Sequence, residues 1–226
     1  MELTILIPAK NEKNNLPVVL DEIFEIVDFK FDYEILVVIP KNDNSLDNLS
    51  KFQLEKINTH VQNNEGYGSA MTEGNMFSKG KFVIFCFSDG SSDPKDIKRI
   101  YNKLQYNDFV YCSRYSKNAK SYDDSFLTYI GNRCFSEFGK FFFNLKISDI
   151  LYTYFGFRKN KFDELTITSK DYRICVEIPI LIERKKFAYS EISAIERKRF
   201  SGKKNVNEFR DGFLILCKLI VMYFKK

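Results

Sequence analysis

The 226-residue sequence has no tryptophan and one histidine, His60. A single imidazole cannot build a multi-histidine metal cage and argues against a Ser-His-Asp triad. Five cysteines (Cys86, Cys112, Cys134, Cys175 and Cys217) are scattered, odd in number and free of any C-x-x-C pair. Neither a zinc knuckle nor a disulfide framework is indicated, and most of them sit in apolar runs as buried thiols of a reducing compartment would. Also missing is an apolar run of the roughly 18 to 20 residues a membrane span needs. The nearest, residues 212–224, is broken by Lys218 and followed by Lys225 and Lys226. It reads either as a core-packing terminal helix or as a helix lying in a membrane interface. Met1-Glu2-Leu3 leads straight into a strand with no basic-then-apolar leader, so a cytoplasmic protein is expected.

What is present is ample material for a core: 44% hydrophobic residues, with 23 Phe and 13 Tyr. The length suits one α/β domain, with or without a C-terminal extension. The formal charge of +5 is modest, but basic residues crowd into residues 196–204, Glu-Arg-Lys-Arg-Phe-Ser-Gly-Lys-Lys. Such a segment suits a phosphate-rich ligand or an anionic membrane surface, and nothing demands nucleic acid as a partner.

The hydrophobic periodicity predicts strands over residues 3–8, 34–39 and 82–87, a short one at 59–61, and another at 108–112. Helices are predicted over residues 14–27, 47–55, 66–78 and 95–105. Fully apolar strands alternating with helices argue a doubly wound, mostly parallel sheet flanked on both faces. The second half is less regular: an aromatic helix over 126–144, a strand-like 146–148, an ambiguous 172–183, a strand over 188–195 and a final helix from about 207.

The most informative segment is Phe82-Val83-Ile84-Phe85-Cys86-Phe87-Ser88-Asp89-Gly90-Ser91-Ser92-Asp93-Pro94, an apolar strand ending abruptly in a small loop with two carboxylates. Ligand sites of open α/β sheets lie at such strand ends. Carboxylates with little bulk beside them suit Mg²⁺ or Mn²⁺, which neutralises phosphate oxygens. A plain alternative is that Asp93 caps the helix opening at Pro94, which leaves Asp89 unexplained.

Taken in order, Ile7-Pro8-Ala9-Lys10-Asn11-Glu12, Asp43-Asn44-Ser45-Leu46-Asp47, Gly66-Tyr67-Gly68-Ser69-Ala70, and Ser88 to Pro94 resemble the family 2 glycosyltransferases, closest to the polyprenyl-phosphate sugar transferases. The likeness continues through Cys112-Ser113-Arg114-Tyr115, Gly131-Asn132-Arg133, Ser148-Asp149, Gly156-Phe157-Arg158, the basic 196–204 segment and Phe209-Arg210-Asp211-Gly212. It implies a single GT-A domain, α/β and Rossmann-like with a mixed, mostly parallel sheet. Residues 1–115 would be the nucleotide-sugar-binding half, 116–206 the acceptor half and 207–226 an amphipathic C-terminal helix. The implied reaction is inverting transfer from a nucleotide-diphosphate sugar to a polyprenyl phosphate or a glycan, with peripheral contact at the inner face of the cytoplasmic membrane.

The resemblance also assigns residues. Pro8, Ala9, Asn11 and Glu12 would line the nucleotide pocket, with Asp43, rather than Asp47, on the nucleoside. Gly66 and Gly68 would let the backbone turn beside the donor. Ser88, Asp89 and Asp93 form the diphosphate and cation loop, where Phe87 replaces the first carboxylate of the usual Asp-x-Asp. Arg114 and Arg133 would meet an acceptor phosphate. Asp149 would be general base or acceptor-orienting carboxylate, with Glu177 a second candidate. Lys198, Arg199 and Lys203 belong to a loop that would close over the diphosphate. Phe87 also motivates a second reading, a catalytically impaired nucleotide-sugar-binding module. A nucleotidyltransferase would need a Gly-rich run with Arg and Lys after the first strand, which Pro8 to Glu12 does not supply.

Overall fold

Leu3–Pro8 forms β1 in the interior of the sheet in the computed structural model, which describes residues 1–225. Leu3 to Ile7 are all buried because both faces of β1 are covered. The sheet has seven strands in the order β3 (Asn58–Val61), β2 (Tyr33–Ile39), β1, β4 (Phe82–Phe85), β7 (Phe155–Arg158), β5 (Phe109–Ser113) and β8 (Tyr189–Ser193). Only β7 runs antiparallel to its neighbours; every other pairing in this sheet is parallel. A two-stranded ribbon, β6 (Lys120–Ser121) with β9 (Ile195–Glu196), stands beside it.

The period of two along each strand divides the core into two layers. Leu3, Ile5 and Ile7 pack with α1 (Leu16–Ile26) and α4 (Lys95–Leu104) through Leu20, Ile23, Ile97 and Ile100. Leu6, Val38, Val83 and Phe85 pack on the other layer with α3 (Tyr67–Phe77), α7 (Ile174–Lys185) and α8 (Glu208–Phe224). Each fully buried side chain of this kind contributes about 1.5–3 kcal/mol of transfer free energy. At Gly156 on β7 a Cβ would come within 3.0 Å of Leu104 Cδ1 and nearer still to Ile100, so the missing side chain lets α4 lie close on the sheet. Arg158, at the end of β7, donates to the carbonyls of Leu104 and Gln105 at 2.9 Å and so closes the C-terminus of α4.

Three expected elements differ. α2 (Lys51–Lys56) begins at Lys51, not residue 47, because Ser50 and Gln53 form a capping box there. Residues 172–183 resolve as helix: α7 is buried along almost its whole length despite Pro179 inside it. Residues 146–148 are not a strand. The amides of Lys146 and Ser148 bond to the side chains of Tyr189 and Glu191, at 3.0 and 2.7 Å, instead of to a ladder partner. The aromatic α5 (Phe126–Phe143) forms as expected, capped by Ser125 through the amide of Thr128. The short α6 (Lys159–Asp163) follows β7.

Candidate active site

The strand order turns outward in both directions from β1 and β4, and the carboxyl ends of β1, β2 and β4 open into a cleft of about 760 Å³. Pro8 ends β1 at its rim, Ala9, Asn11 and Glu12 follow into it, and Asp43 faces them from the loop after β2. Asn11 adopts the left-handed conformation (φ 59°), which asparagine tolerates better than most residues. Its amide donates to Asp43 Oδ2 at 2.8 Å, and the Ser45 amide donates to Asp43 Oδ1 at 2.8 Å. Asp43, not the exposed Asp47, is thereby fixed beside the β1 loop.

Ser88 hydroxyl donates to the Pro8 carbonyl at 2.9 Å, joining the β4 loop to the β1 loop. Asp89 Oδ1 accepts from Ser91 Oγ at 2.7 Å and from its amide at 3.0 Å. The loop then turns at Gly90 (φ +84°), against which the Phe200 ring packs so closely that a Cβ would clash. The Phe200 amide bonds to the Asp89 carbonyl at 2.9 Å, so the basic segment is already strapped across this loop. Arg197 clamps it through the carbonyls of Gly90 and Ser92 and the Glu22 carboxylate.

The strap carries Arg199 to the centre of the cleft. Its Nη2 donates to Glu12 Oε1 at 2.7 Å, and Nη1 lies 3.6 Å from Asp89 Oδ2. Burial pushes the Glu12 carboxyl upward, against the opposing hydrogen bonds from Asn15 and Arg199. Lys204 also lines the cleft, paired with Asp123 at 2.9 Å. Lys198 and Lys203 do not: both are exposed and outside it, which corrects their expected role at the diphosphate.

Other expected residues are occupied elsewhere. Asp93 is outside the cleft lining, and its Oδ1 caps α4 on the Lys95 amide at 3.0 Å, which is the capping reading and not the cation one. Gly68 lies inside α3 against the backbone of Ser169 to Asp171, so its small size serves packing rather than a phosphate turn. Gly66, with φ +110°, and Tyr67 line the cleft instead. Arg133 pairs with Glu137 on the surface of α5. Glu177 is structural. Burial opposes its ionisation, but hydrogen bonds from Lys218, Ser169 and Thr168 hold its carboxyl below the usual range.

Asp149 requires the largest correction. It is fully buried, and its two oxygens accept from Arg114 Nε at 2.7 Å and Nη2 at 3.1 Å. A carboxylate sealed in that way cannot take a proton from an acceptor; it orients Arg114. The guanidinium Nη1 lies 3.4 Å from Glu196 and 3.6 Å from Asp124, with the Tyr152 and Tyr115 rings 4.7 and 5.1 Å away. Burial raises the Glu196 carboxyl, opposed by Arg114 and Ser121.

Several lining residues had been assigned no role. Tyr67 stacks on Tyr172 at 5.1 Å and bonds to the Thr153 hydroxyl at 2.7 Å, and Asp124 comes from the turn before α5. The aromatic beside Gly66 was the one available hint. Phe87, at the missing carboxylate, packs edge-on against Tyr152 at 5.3 Å. Among the described residues no three His, Cys, Asp or Glu side chains gather as a metal group. Asp89 alone nevertheless fits a magnesium-type ion, which is commonly held by one or two carboxylates while substrate phosphates and water complete the shell.

A mostly parallel sheet with a strand-end carboxylate loop and a β7 reversal is the GT-A glycosyltransferase architecture. Residues 4–166 match the model of glycosyl transferase family 2, and the chain belongs to that family. It is 30% identical over 124 residues to the dolichyl-phosphate beta-glucosyltransferase of Dictyostelium discoideum, a stretch covering 47% of this chain and 37% of that one. A similar likeness, 30% over 107 residues, joins it to the poly(ribitol-phosphate) beta-glucosyltransferase of Bacillus spizizenii, covering 45% of this chain and 17% of that one. The match thus spans little more than a third of the first relative and less of the second. Glucosyl-3-phosphoglycerate synthase from Mycobacterium tuberculosis, solved with Mn²⁺, uridine diphosphate and phosphoglyceric acid, superposes with a TM-score of 0.74 at 15% identity. That alignment covers 99% of this chain and 78% of that one, and at this identity it shows the shared fold.

Proposed function

We propose that this protein transfers a sugar, with inversion, from a nucleotide-diphosphate sugar to a polyprenyl phosphate or a glycan of the cell envelope. The observation that carries this is the meeting of Glu12, Arg199 and Asp89 where β1 and β4 end. A guanidinium there can grip a diphosphate through paired hydrogen bonds. Asn11 and Asp43 offer polar groups for the nucleoside, and the uridine diphosphate of the structural neighbour favours a uridine nucleotide.

The chemistry is a single displacement. An acceptor oxygen bonds to the anomeric carbon as the bond to the diphosphate oxygen breaks, and negative charge gathers on the departing nucleotide. Arg199, swung from Glu12 and Asp89 onto the phosphates, stabilises that charge in a site shielded by the strap. Asp89 would hold Mg²⁺ or Mn²⁺, which supplies further neutralisation of the diphosphate when bound.

Loss of the first carboxylate to Phe87 favours the other reading, a module that binds the donor without turnover. A thermal-shift screen with UDP-, GDP- and dTDP-sugars plus Mn²⁺, followed by a transfer assay, separates the two. One nucleotide sugar should raise the melting temperature and be consumed, and Asp89→Ala should lower turnover by about 10²–10³-fold, the loss typical of one transition-state charge stabiliser. Binding without any consumption, indifferent to Asp89→Ala, would leave only the binding module.

We further propose work in the cytoplasm, at the inner membrane face. No helix among the described residues is long and apolar enough to cross a membrane. One stripe of α8 packs inward through Ile215, Leu219 and Met222, while Phe209, Phe213, Ile220 and Phe224 stay exposed beside Arg210 and Lys225. An apolar stripe flanked by cations suits an anionic interface. The protein should co-sediment with vesicles containing anionic lipid, and Phe213→Asp with Phe224→Asp should abolish this; equal sedimentation of both would discard the contact.

A further inference from the structure

Asp89 offers the cleft one open oxygen. Its Oδ1 is taken by the amide and hydroxyl of Ser91, at 3.0 and 2.7 Å. No hydrogen bond reaches Oδ2 among the described residues, and the charge that faces it is Arg199 Nη1 at 3.6 Å. The same guanidinium donates from Nη2 to Glu12 Oε1 at 2.7 Å, while Asn15 holds Glu12 Oε2. Its Nε is spent on the Ser201 carbonyl at 2.7 Å, and the side chain is only 13% exposed. One fixed cation thus bridges the carboxylates that follow β1 and β4.

We propose that Arg199 is a resident counter-ion that keeps a divalent cation off Asp89 until a diphosphate draws the guanidinium away, so that the free protein binds Mg²⁺ or Mn²⁺ poorly. The inference rests on the reading of Asp89 as the residue that holds the cation. With Oδ1 filled, Oδ2 is the oxygen left for an ion, and Arg199 already faces it. An ion there would stand against a like charge in a site largely shielded from water, where repulsion is strong. Phe87 stands in place of the usual first carboxylate and packs on Tyr152. Asp89 therefore has no second carboxylate at its own strand end to attract an ion in spite of Arg199.

The exchange of partners needs no loop to open. The Phe200 amide is bonded to the Asp89 carbonyl at 2.9 Å and its ring covers Gly90, so the backbone next to Arg199 stays beside Asp89. Side-chain torsions of Arg199 suffice to carry the guanidinium from the carboxylates to a phosphate. A diphosphate serves both partners: it accepts paired hydrogen bonds from the guanidinium and completes the oxygen shell of an ion on Asp89. Arg199 thereby couples the binding of cation and nucleotide, and by linkage each strengthens the other equally.

Mn²⁺ binding to the full chain without nucleotide, read from the electron paramagnetic resonance signal of the free ion, tests this apart from turnover. Arg199→Ala should bind Mn²⁺ about tenfold more tightly than the parent, a coupling of ordinary size. Arg199→Gln should do the same while keeping the length of the side chain. Lys198→Ala removes an equal charge from an exposed neighbour outside the cleft and should leave the affinity within about twofold of the parent. UDP should then tighten Mn²⁺ binding more in the parent than in Arg199→Ala, and Asp89→Ala combined with Arg199→Ala should lose the gain. If Mn²⁺ binding depends on Asp89 but is no tighter in either Arg199 variant, or is tightened equally by Lys198→Ala, the counter-ion proposal falls and the cation reading of Asp89 stands. If the gain survives Asp89→Ala, or no variant binds Mn²⁺, the cation reading falls and the proposal with it.

Discussion

The two ends of the cleft are built on different physical principles. At the donor end, Glu12, Asp43 and Asp89 each follow a parallel strand, so the pairing of β1 with β2 and β4 delivers them to one rim. At the other end, Arg114 is fixed by carboxylates from three separate segments: Asp149, Glu196 and Asp124. One end is placed by hydrogen-bond ladders and the other by buried charge. The first should therefore tolerate side-chain changes without unfolding, and the second should not.

Asp149→Ala tests that contrast with the largest effect. It leaves Arg114 buried and deprived of its closest partner, a change that costs about 3–5 kcal/mol in folding stability. Urea unfolding should show it as a lower midpoint at an unaltered slope. Replacing both partners, Arg114→Met with Asp149→Leu, should recover most of the loss, because no uncompensated charge then remains. If Asp149→Ala is as stable as the parent, charge does not organise this end.

The opposite behaviour is expected at the donor end. Arg199→Ala removes the guanidinium from Glu12 and Asp89 but leaves every strand pairing intact. Turnover should fall by about 10²-fold, comparable to losing one preorganised donor to a developing charge. Folding stability should change by no more than about 1 kcal/mol, since a buried Glu12 can relax by taking up a proton and keeps Asn15 as partner. A loss of stability larger than the loss of turnover would erase the distinction between the ends.

The same contrast explains what was legible beforehand. β1, β2 and β4 are apolar runs closed by polar loops, so their ends, and with them Asp89, can be read from local pattern, whereas Asn11, Glu12 and Asp43 follow from the family resemblance. Arg199 was readable only as one of several loop cations, because its separation from Lys198 and Lys203 depends on how the strap lies against Gly90. Asp149 was misread for a related reason. Position in the motif order says nothing about burial, and burial with Arg114 is what turns a candidate base into a positioning residue. Asp124 had no local signature, because it reaches the cleft from the turn before α5.

The smallest expected effect concerns a support of the donor end that pattern also concealed. Glu73, on α3, accepts from the amides of Asn63 and Asn64 at 2.7 and 2.9 Å and lies 3.1 Å from His60, fastening the turn that leads to Gly66. Burial favours the neutral acid, but these hydrogen bonds prevail and lower the carboxyl from 4.5 to about 2. A carboxyl lowered on folding stabilises the protein fully above its unfolded value, and that contribution disappears as pH falls through the folded one. Glu73→Gln should therefore cost about 1–2 kcal/mol near neutral pH. The difference from the parent should shrink as pH falls below 4.5 and vanish near 2, as urea unfolding at a series of pH values would show. A constant difference across that window would mean that the charge of Glu73 is irrelevant and that its shape alone holds the turn.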